Sequence, residues 1–353
     1  MLTSFEVKNF RCFDELRLSS LRRINVFAGR NNVGKTSLLE ALFLLLGGNN
    51  PSLTMNLNMF RRRTGLRTEL GAMWGHLFRG MDTAKPISLA AESEAGRTAL
   101  TIAIERPEQV ELTADNVAAG GRFPVGIEYQ LEHKGLVKGA KIRARVEMVG
   151  AESAKLVLSP PPVRPLFWGI FLHATGADPA EDADRFSELS KGNKKDALAA
   201  VIAALRELEP RLHQLSVLTD GRFKEIYGEL KDLAEKVPLS VMGEGMVRLA
   251  SMLLAIFASR QGIVLIDEFE NGLHYTVLPG VWQAVGKAAK DANAQVFATT
   301  HSYECLQAAK PLLEESSDAV KFLRLQRVGE RIKAVDYERE VFDVALSEGI
   351  EVR

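Results

Sequence analysis

The chain has 353 residues, of which 46% are apolar and 25% charged, and its 45 Lys and Arg balance its 45 Asp and Glu. These proportions belong to a globular chain long enough for a sizeable core, and they exclude a disordered, collagen-like or strongly basic protein. A zero net charge supplies no global field toward nucleic acid or anionic membrane, so any such contact must come from local patches. The two cysteines, Cys12 and Cys305, lie far apart and offer neither a disulfide framework nor metal-ligand spacing, which predicts a reducing, cytoplasmic setting. The N-terminal "MLTSFEVKNFRCF" has no charged leader before an apolar run, and "LLEALFLLL" and "MLLAIFA" are too short to cross a bilayer. No membrane partner is expected.

Residues 1–10 alternate as a strand does, and "RINVFAG" (23–29) is a short β run ending in glycine. A helical pattern runs from Lys35 to about Leu46, where Gly47-Gly48 stops it. Between strand and helix, "GRNNVGKTS" (29–37) fits the pattern G-x-x-x-x-G-K-[S/T]. Glycines let the backbone curl so that its N–H groups meet phosphate oxygens, and the helix N-terminus adds partial positive charge. Lys35 would reach the β- and γ-phosphates, and the Thr36 hydroxyl would coordinate Mg²⁺. The bland alternative is a glycine-rich turn with an exposed lysine; the strand and helix on either side weigh against it.

Residues 50–85 read as irregular, with a basic stretch "RRRTGLR" (61–67). From Ile87 to Leu158 the pattern is β, broken by Gly, Asp and Asn turns, and "SPPPVRP" (159–165) is a break. Residues 180–236 read as helical: Leu198, Val201, Ile202, Leu205, Leu208 and Leu212, then Phe223, Ile226, Leu230 and Leu233, recur at helical spacing. A helix is expected from about Gly245 to Arg260, then a strand Ile263–Ile266, a helix near 276–291, the strand "QVFATT" (295–300), a helix near 303–314 and two final β runs. Alternation at both ends predicts an α/β fold with a parallel sheet, an antiparallel β lobe and a helical insertion. The expected division is 1–160 (first half of the head and β lobe), 161–237 (helical insertion) and 238–353 (second half).

The strand in "GIVLIDEFENGLHYTVL" (262–278) ends in two adjacent acids, Asp267 and Glu268. Neighbouring carboxylates at a core edge repel one another and lose hydration, so a cation is needed. Beside a phosphate loop, Asp267 is placed to share Mg²⁺ with Thr36, and Glu268 to orient and deprotonate an attacking water. About 230 residues separate Thr36 from Asp267. Just upstream of the acidic strand, "MGEGMVRLASMLLAIF" is a Gly-x-Gly turn opening an amphipathic helix; downstream, "FATTHS" is a buried strand ending in His301. This order of motifs matches ABC-type ATPases, in which the glycine turn of one subunit closes on ATP held by another.

Through "FEVKNFRCFDEL", "INVFAGRNNVGKTSLLEAL", "MGEGMVRLASMLLAI", "GIVLIDEFENGLHYTVLPGVWQAV" and "QVFATTHSYECLQAA" the chain resembles the AAA/ABC-type ATPases of the OLD (overcoming lysogenization defect) group, related to RecF- and SMC-type ATPases. The likeness is close over residues 1–45 and about 238–310, and architectural between them. It implies a P-loop NTPase with an ABC-type head that takes ATP and Mg²⁺ and forms a homodimer. On this likeness Arg11 sits near the phosphates, and Gly29, Arg30, Asn31, Asn32, Val33, Gly34, Lys35, Thr36 and Ser37 form the Walker A loop, with Asn32 near the γ-phosphate. Gly243, Glu244 and Gly245 correspond to the signature turn, Asp267 and Glu268 to Walker B, Glu270 to His274 to the D-loop, and His301 to the switch histidine that senses the γ-phosphate.

The chain departs from that pattern in three places. The signature turn lacks its usual serine, with Met242 nearby; His274 stands where an aspartate is usual; and Gln130, within a β run, is a poor Q-loop candidate. These bear on turnover more than on ATP binding. About 50 residues follow His301, too few for the Toprim nuclease domain of many relatives. The likeness therefore implies a separately encoded effector, such as a Toprim-type nuclease, as in anti-phage systems. Alternatives are an ATP switch or scaffold without turnover, which the missing serine favours, and the nucleotide-binding subunit of a membrane transporter, which the N-terminal motif opposes. Basic patches at Arg61, Arg62, Arg63 and Arg67, and at Lys138, Lys141, Arg143 and Arg145, are the candidate nucleic-acid contacts, with a solvated surface as the plainer reading. Trp74 and "LFWGIF" (166–171) are expected in the core.

Overall fold

A computed structural model of the chain describes residues 1–60, 72–104, 126–134, 137–148, 154–160, 167–174, 176, 178–192, 194–221, 223–259, 261–315 and 317–337. β1 (Leu2–Phe10) and β2 (Phe13–Leu18) form a hairpin, and β3 (Ile24–Ala28) leads through the glycine loop into α1 (Lys35–Leu46). Short helices α2 (Leu53–Phe60) and α3 (Ala72–Gly75) precede an antiparallel run: β4 (Ile87–Ser93), β5 (Gly96–Ile104), β6 (Gly126–His133), β7 (Val137–Met148) and β8 (Ala154–Ser159). Next come β9 (Gly169–Leu172), α4 (Pro179–Lys191), α5 (Lys195–Arg206), β10 (Leu212–Asp220), β11 (Phe223–Leu230) and β12 (Val237–Pro238). The chain continues with α6 (Glu244–Ala258), β13 (Ile263–Ile266), α7 (Leu278–Asp291), β14 (Gln295–Thr299), α8 (Tyr303–Ala308), α9 (Lys310–Glu315), β15 (Val320–Val328) and β16 (Arg331–Tyr337). Among the described residues no helix is long and apolar enough to cross a membrane.

The described strands form three sheets. The central one has the order β16-β15-β3-β14-β13-β9, parallel from β15 to β9 with β16 antiparallel at one edge. Every residue of β3, β13 and β14 is buried, as expected of parallel strands covered on both faces. Their alternate side chains feed two cores. Ile24, Val26, Val264, Ile266, Val296 and Ala298 pack with residues of α4 to α7, while Phe27, Leu265 and Phe297 pack with α1 and the β lobe. The lobe is the sheet β2-β1-β4-β5-β6-β7-β8, antiparallel throughout. Wedged between the two sheets, α1 buries Leu38, Leu39, Leu42, Leu45 and even Glu40, which is why its sequence is apolar nearly all round. The register decides where the site lies. Ile266 pairs with Ala298 and Thr299 with Phe27, so the ends of β3, β13 and β14 sit side by side at one edge, the edge where open α/β sheets place their sites.

Three sequence expectations need correction. Residues 50–85 contain α2 and α3. The segment 161–237 is not a helical insertion: it supplies β9 to the central sheet, and its second half is the β10–β11 hairpin, which packs on α4 and α5. The leucine spacing there fits a helix, but Asp220-Gly221 is a hairpin turn signal, and in β11 burial recurs every second residue at Ile226, Gly228 and Leu230. Trp168 is 48% exposed, whereas Trp74 is buried with its ring N–H donated to Thr54. Of the basic patches, Arg61, Arg62, Arg63 and Arg67 lie outside the described residues, as do the side chains of Lys138, Lys141 and Arg145. Arg143 is paired with Glu128 at 3.0 Å.

Candidate functional site

At the shared strand edge lies a cavity of about 1040 Å³, lined by Arg11, Cys12, Asn31, Asn32, Gly34, Lys35, Thr36, Ser37, Asp267, Glu268 and His301, together with His76, Phe78, Gly80 and Met81. The loop leaving β3 is shaped by two glycines that could be nothing else. Gly29 (φ 146) would bring an added Cβ to 2.5 Å from the Leu325 carbonyl oxygen. At Gly34 (φ 93) a Cβ would collide with Cys12 Sγ and stand 2.9 Å from Phe13 Cζ. Gly34 starts α1 without a side-chain cap and without an acid in the first turn, which leaves the first N–H groups for an anion. Lys35 arches back over the loop, donating to the carbonyls of Gly29 (2.6 Å) and Arg30 (3.0 Å). Burial pushes its amino group below the usual lysine range, opposed by the charges of Asp267, Glu270 and Glu268.

Thr36 donates to the Asp267 carboxylate, its Oγ1 lying 3.0 Å from one oxygen and 2.9 Å from the other. Asp267 is buried and takes a third bond at 2.7 Å from the Thr299 hydroxyl, which in turn accepts from the Glu268 N–H at 2.9 Å. Glu268 has φ 48, a strained backbone for a residue with a side chain. The strain is held from both sides: Thr299 binds its N–H, and Arg248 donates to its carbonyl at 3.0 Å and to that of Asp267 at 2.5 Å. Arg11 sits in the tight β1–β2 turn at φ 49 and pairs with the buried Glu40 of α1 at 3.0 Å, so a cation is braced in the cavity wall.

Comparisons with known proteins bear on the fold. Residues 1–109 match the family described as "AAA ATPase domain", and residues 170–306 the family "AAA domain, putative AbiEii toxin, Type IV TA system". A Helicobacter pylori protein named "ATP/GTP phosphatase" is 25% identical over 357 residues, which covers 90% of each chain. The RecF DNA replication and repair protein of Lactobacillus johnsonii is 48% identical over 44 residues, 12% of each chain. An SMC head, solved bound to the C-winged helix domain of ScpA, aligns over 96% of this chain and 98% of that one at 13% identity, with a TM-score of 0.50. The fold is an ABC-type P-loop ATPase head.

Within this fold the cavity gathers Arg11, Asn31, Asn32, Gly34, Lys35, Thr36, Ser37, Asp267, Glu268 and His301, but not every residue of the motifs. The Val33 side chain is buried in the apolar core and anchors the loop, so any contribution of this residue to an anion comes from its backbone N–H. Gly29 and Arg30 contribute carbonyls that hold Lys35. Gly243, Glu244 and Gly245 are not among the lining residues. Their turn packs on the loop after Glu270, where a Cβ on Gly272 would meet Glu244 Cγ at 2.7 Å, and one on Gly245 would meet the Gly272 oxygen at 3.2 Å. Gln130 lies on β6 of the lobe and does not line the cavity. His274 is exposed and bonds Thr276 at 2.8 Å.

Sequence reasoning missed Thr299, Arg248 and Glu270 as builders of the site. Signals existed for two of them. Thr299 is a hydroxyl ending a buried strand just after the apolar run Val296–Ala298, and Arg248 a lone cation amid "MVRLASMLLAIF". A buried charge of that kind must have partners, and here they are the strand-end carbonyls.

Proposed function

We propose that the chain binds a nucleoside triphosphate with Mg²⁺ in this cavity and hydrolyses it, as one head of a homodimer closed by the Gly243–Gly245 turn of a second copy. The observation that carries this reading is the meeting of Thr36 and Asp267 beside Lys35. A hydroxyl and a carboxylate from distant parts of the chain form an oxygen donor set suited to Mg²⁺, which takes one or two carboxylates along with phosphate oxygens and water. Thr36 and Asp267 would hold the ion, whose charge offsets that of the phosphates. Lys35 and the α1 N–H groups bind phosphate oxygens. Glu268 is the general base that orients and deprotonates water, and His301 meets the terminal phosphate. Arg11, braced by Glu40, adds charge at the wall.

The signature turn lies outside its own chain's cavity, which supports its use by a neighbouring copy. The name of the Helicobacter relative makes GTP a substrate to test beside ATP. The likeness of the motifs to OLD-type ATPases supports an output through a separately encoded effector acting on nucleic acid, in anti-phage defence. A second reading, an ATP-binding switch without turnover, draws support from Met242, whose thioether packs against Gly228 and offers no hydroxyl beside the turn.

Single-turnover hydrolysis and size exclusion with and without Mg²⁺–ATP test these readings. The wild type should hydrolyse ATP, and Glu268→Gln should lose turnover by about 10²–10⁴-fold while eluting as an ATP-dependent dimer. Binding without single-turnover hydrolysis would favour the switch; an ATP-insensitive monomer would overturn the composite site.

A further inference from the structure

Glu270 lies two residues past Glu268, yet it does not line the cavity; its side chain, 12% exposed, lies beneath the turn between β14 and α8. One carboxylate oxygen, Oε1, accepts from the backbone N–H of His301 at 3.0 Å and of Ser302 at 3.1 Å, and faces Nδ1 of the His301 ring at 3.3 Å. The other, Oε2, is buried and has no hydrogen-bond partner among the described residues. An ionised carboxylate only accepts, so Nδ1 must carry the proton for this contact to be favourable, and Nε2 is the nitrogen left for the cavity that His301 lines. A carboxylate behind a functional imidazole sets ring orientation and tautomer by this route.

We infer that Glu270 is the positioning residue of His301, fixing its ring and tautomer and tying it to the loop on which the Gly243–Gly245 turn packs. The link to that loop is direct. The Glu270 carbonyl accepts from Leu273 N–H at 3.0 Å, the Asn271 amide donates to the Ala174 carbonyl at 2.6 Å, and Gly272 lies against Glu244. The turn at Glu244 is thus connected to His301 through this loop and the Glu270 side chain. This rests on the reading of His301 as the group facing the terminal phosphate.

The test is ring-nitrogen NMR of His301 in the nucleotide-free protein, above the titration range of imidazole, beside steady-state kinetics. Wild type should show the Nδ1–H tautomer. Glu270→Gln keeps an acceptor oxygen and should retain both the tautomer and kcat within about threefold. Glu270→Ala should shift the tautomer toward Nε2–H and lower kcat by about 10–100-fold, with KM for ATP changed far less. Thermal melting of both variants checks folding. An unchanged tautomer in Glu270→Ala, or a Gln variant as impaired as the Ala variant, would overturn the inference. A shifted tautomer with unaltered kcat supports Glu270 as positioner and overturns the assignment of His301 to turnover.

Discussion

Two glycines begin two helices in this chain, and they are held in opposite ways. Gly34 starts α1 at φ 93 with Cys12 and Phe13 pressed against the place where a side chain would go. Gly243 starts α6 at φ 125, and an added Cβ there would meet nothing within 4 Å among the described residues. Neither helix has a side-chain cap; α1 has no acid in its first turn, while α6 has Glu244. The first glycine is required twice over, by backbone conformation and by packing within its own chain. The second is required only by conformation and faces open space, as a turn that works on a neighbouring molecule would. One glycine is thus enclosed by its own chain, and the other is left open. Arg248, on the helix that Gly243 begins, holds the carbonyls of Asp267 and Glu268.

Substituting the two glycines is the harshest test of this contrast. Gly34→Ala adds a collision to a strained backbone and should cost at least about 3 kcal/mol in chemical denaturation, with loss of nucleotide binding. Gly243→Ala adds strain alone, about 1–3 kcal/mol. It should bind nucleotide as the wild type does yet fail to dimerise on ATP. Equal losses of stability would break the comparison.

A smaller effect separates stability from function at the closed end. Lys35→Met should weaken nucleotide binding by about two orders of magnitude while raising the melting temperature near neutral pH, because it removes a buried charge. The sign with pH follows from the lowered native pKa. Below it both states are charged and the native state bears the full burial penalty. As pH rises from the native value toward that of an unfolded lysine, the unfolded chain holds the extra proton and wild-type stability recovers. The advantage of Lys35→Met should therefore shrink across that window.

The smallest effect concerns the surroundings of Arg248. His173, whose carbonyl accepts from Arg248 at 3.0 Å, has its imidazole pushed down to about 4 by burial, with Arg248 adding to the shift. Between an unfolded value of about 6.5 and that native value, the unfolded chain binds a proton the native one refuses. Stability present above that window is lost as pH falls through it. The melting temperature should drop by a few degrees over this range, and His173→Gln should flatten the change.

The elements most legible in the sequence are those whose evidence is local. The helix from Lys35 to Leu46, the runs of β3, β13 and β14, and the motif residues Lys35, Thr36, Asp267, Glu268 and His301 announce themselves by periodicity or spacing, and the structure brings those five side chains to one cavity. The β10–β11 hairpin was misread because leucines three and four apart look alike in a helix and in two half-buried strands; the Asp220-Gly221 turn held the answer. Two further assignments, Val33 turned into the core and Arg11 paired with Glu40, depend on which face meets which element after folding.

By itself, then, the sequence determined the strand, glycine loop and helix and the acids that end a buried strand, since backbone conformation and hydrophobic period are properties of neighbouring residues. Tertiary structure alone decided that Thr299 and Arg248 brace those acids, that Glu270 stands behind His301, and that the Gly243–Gly245 turn does not line the cavity. Those contacts join residues 19 to 32 positions apart, and the parallel register of the sheet selects them.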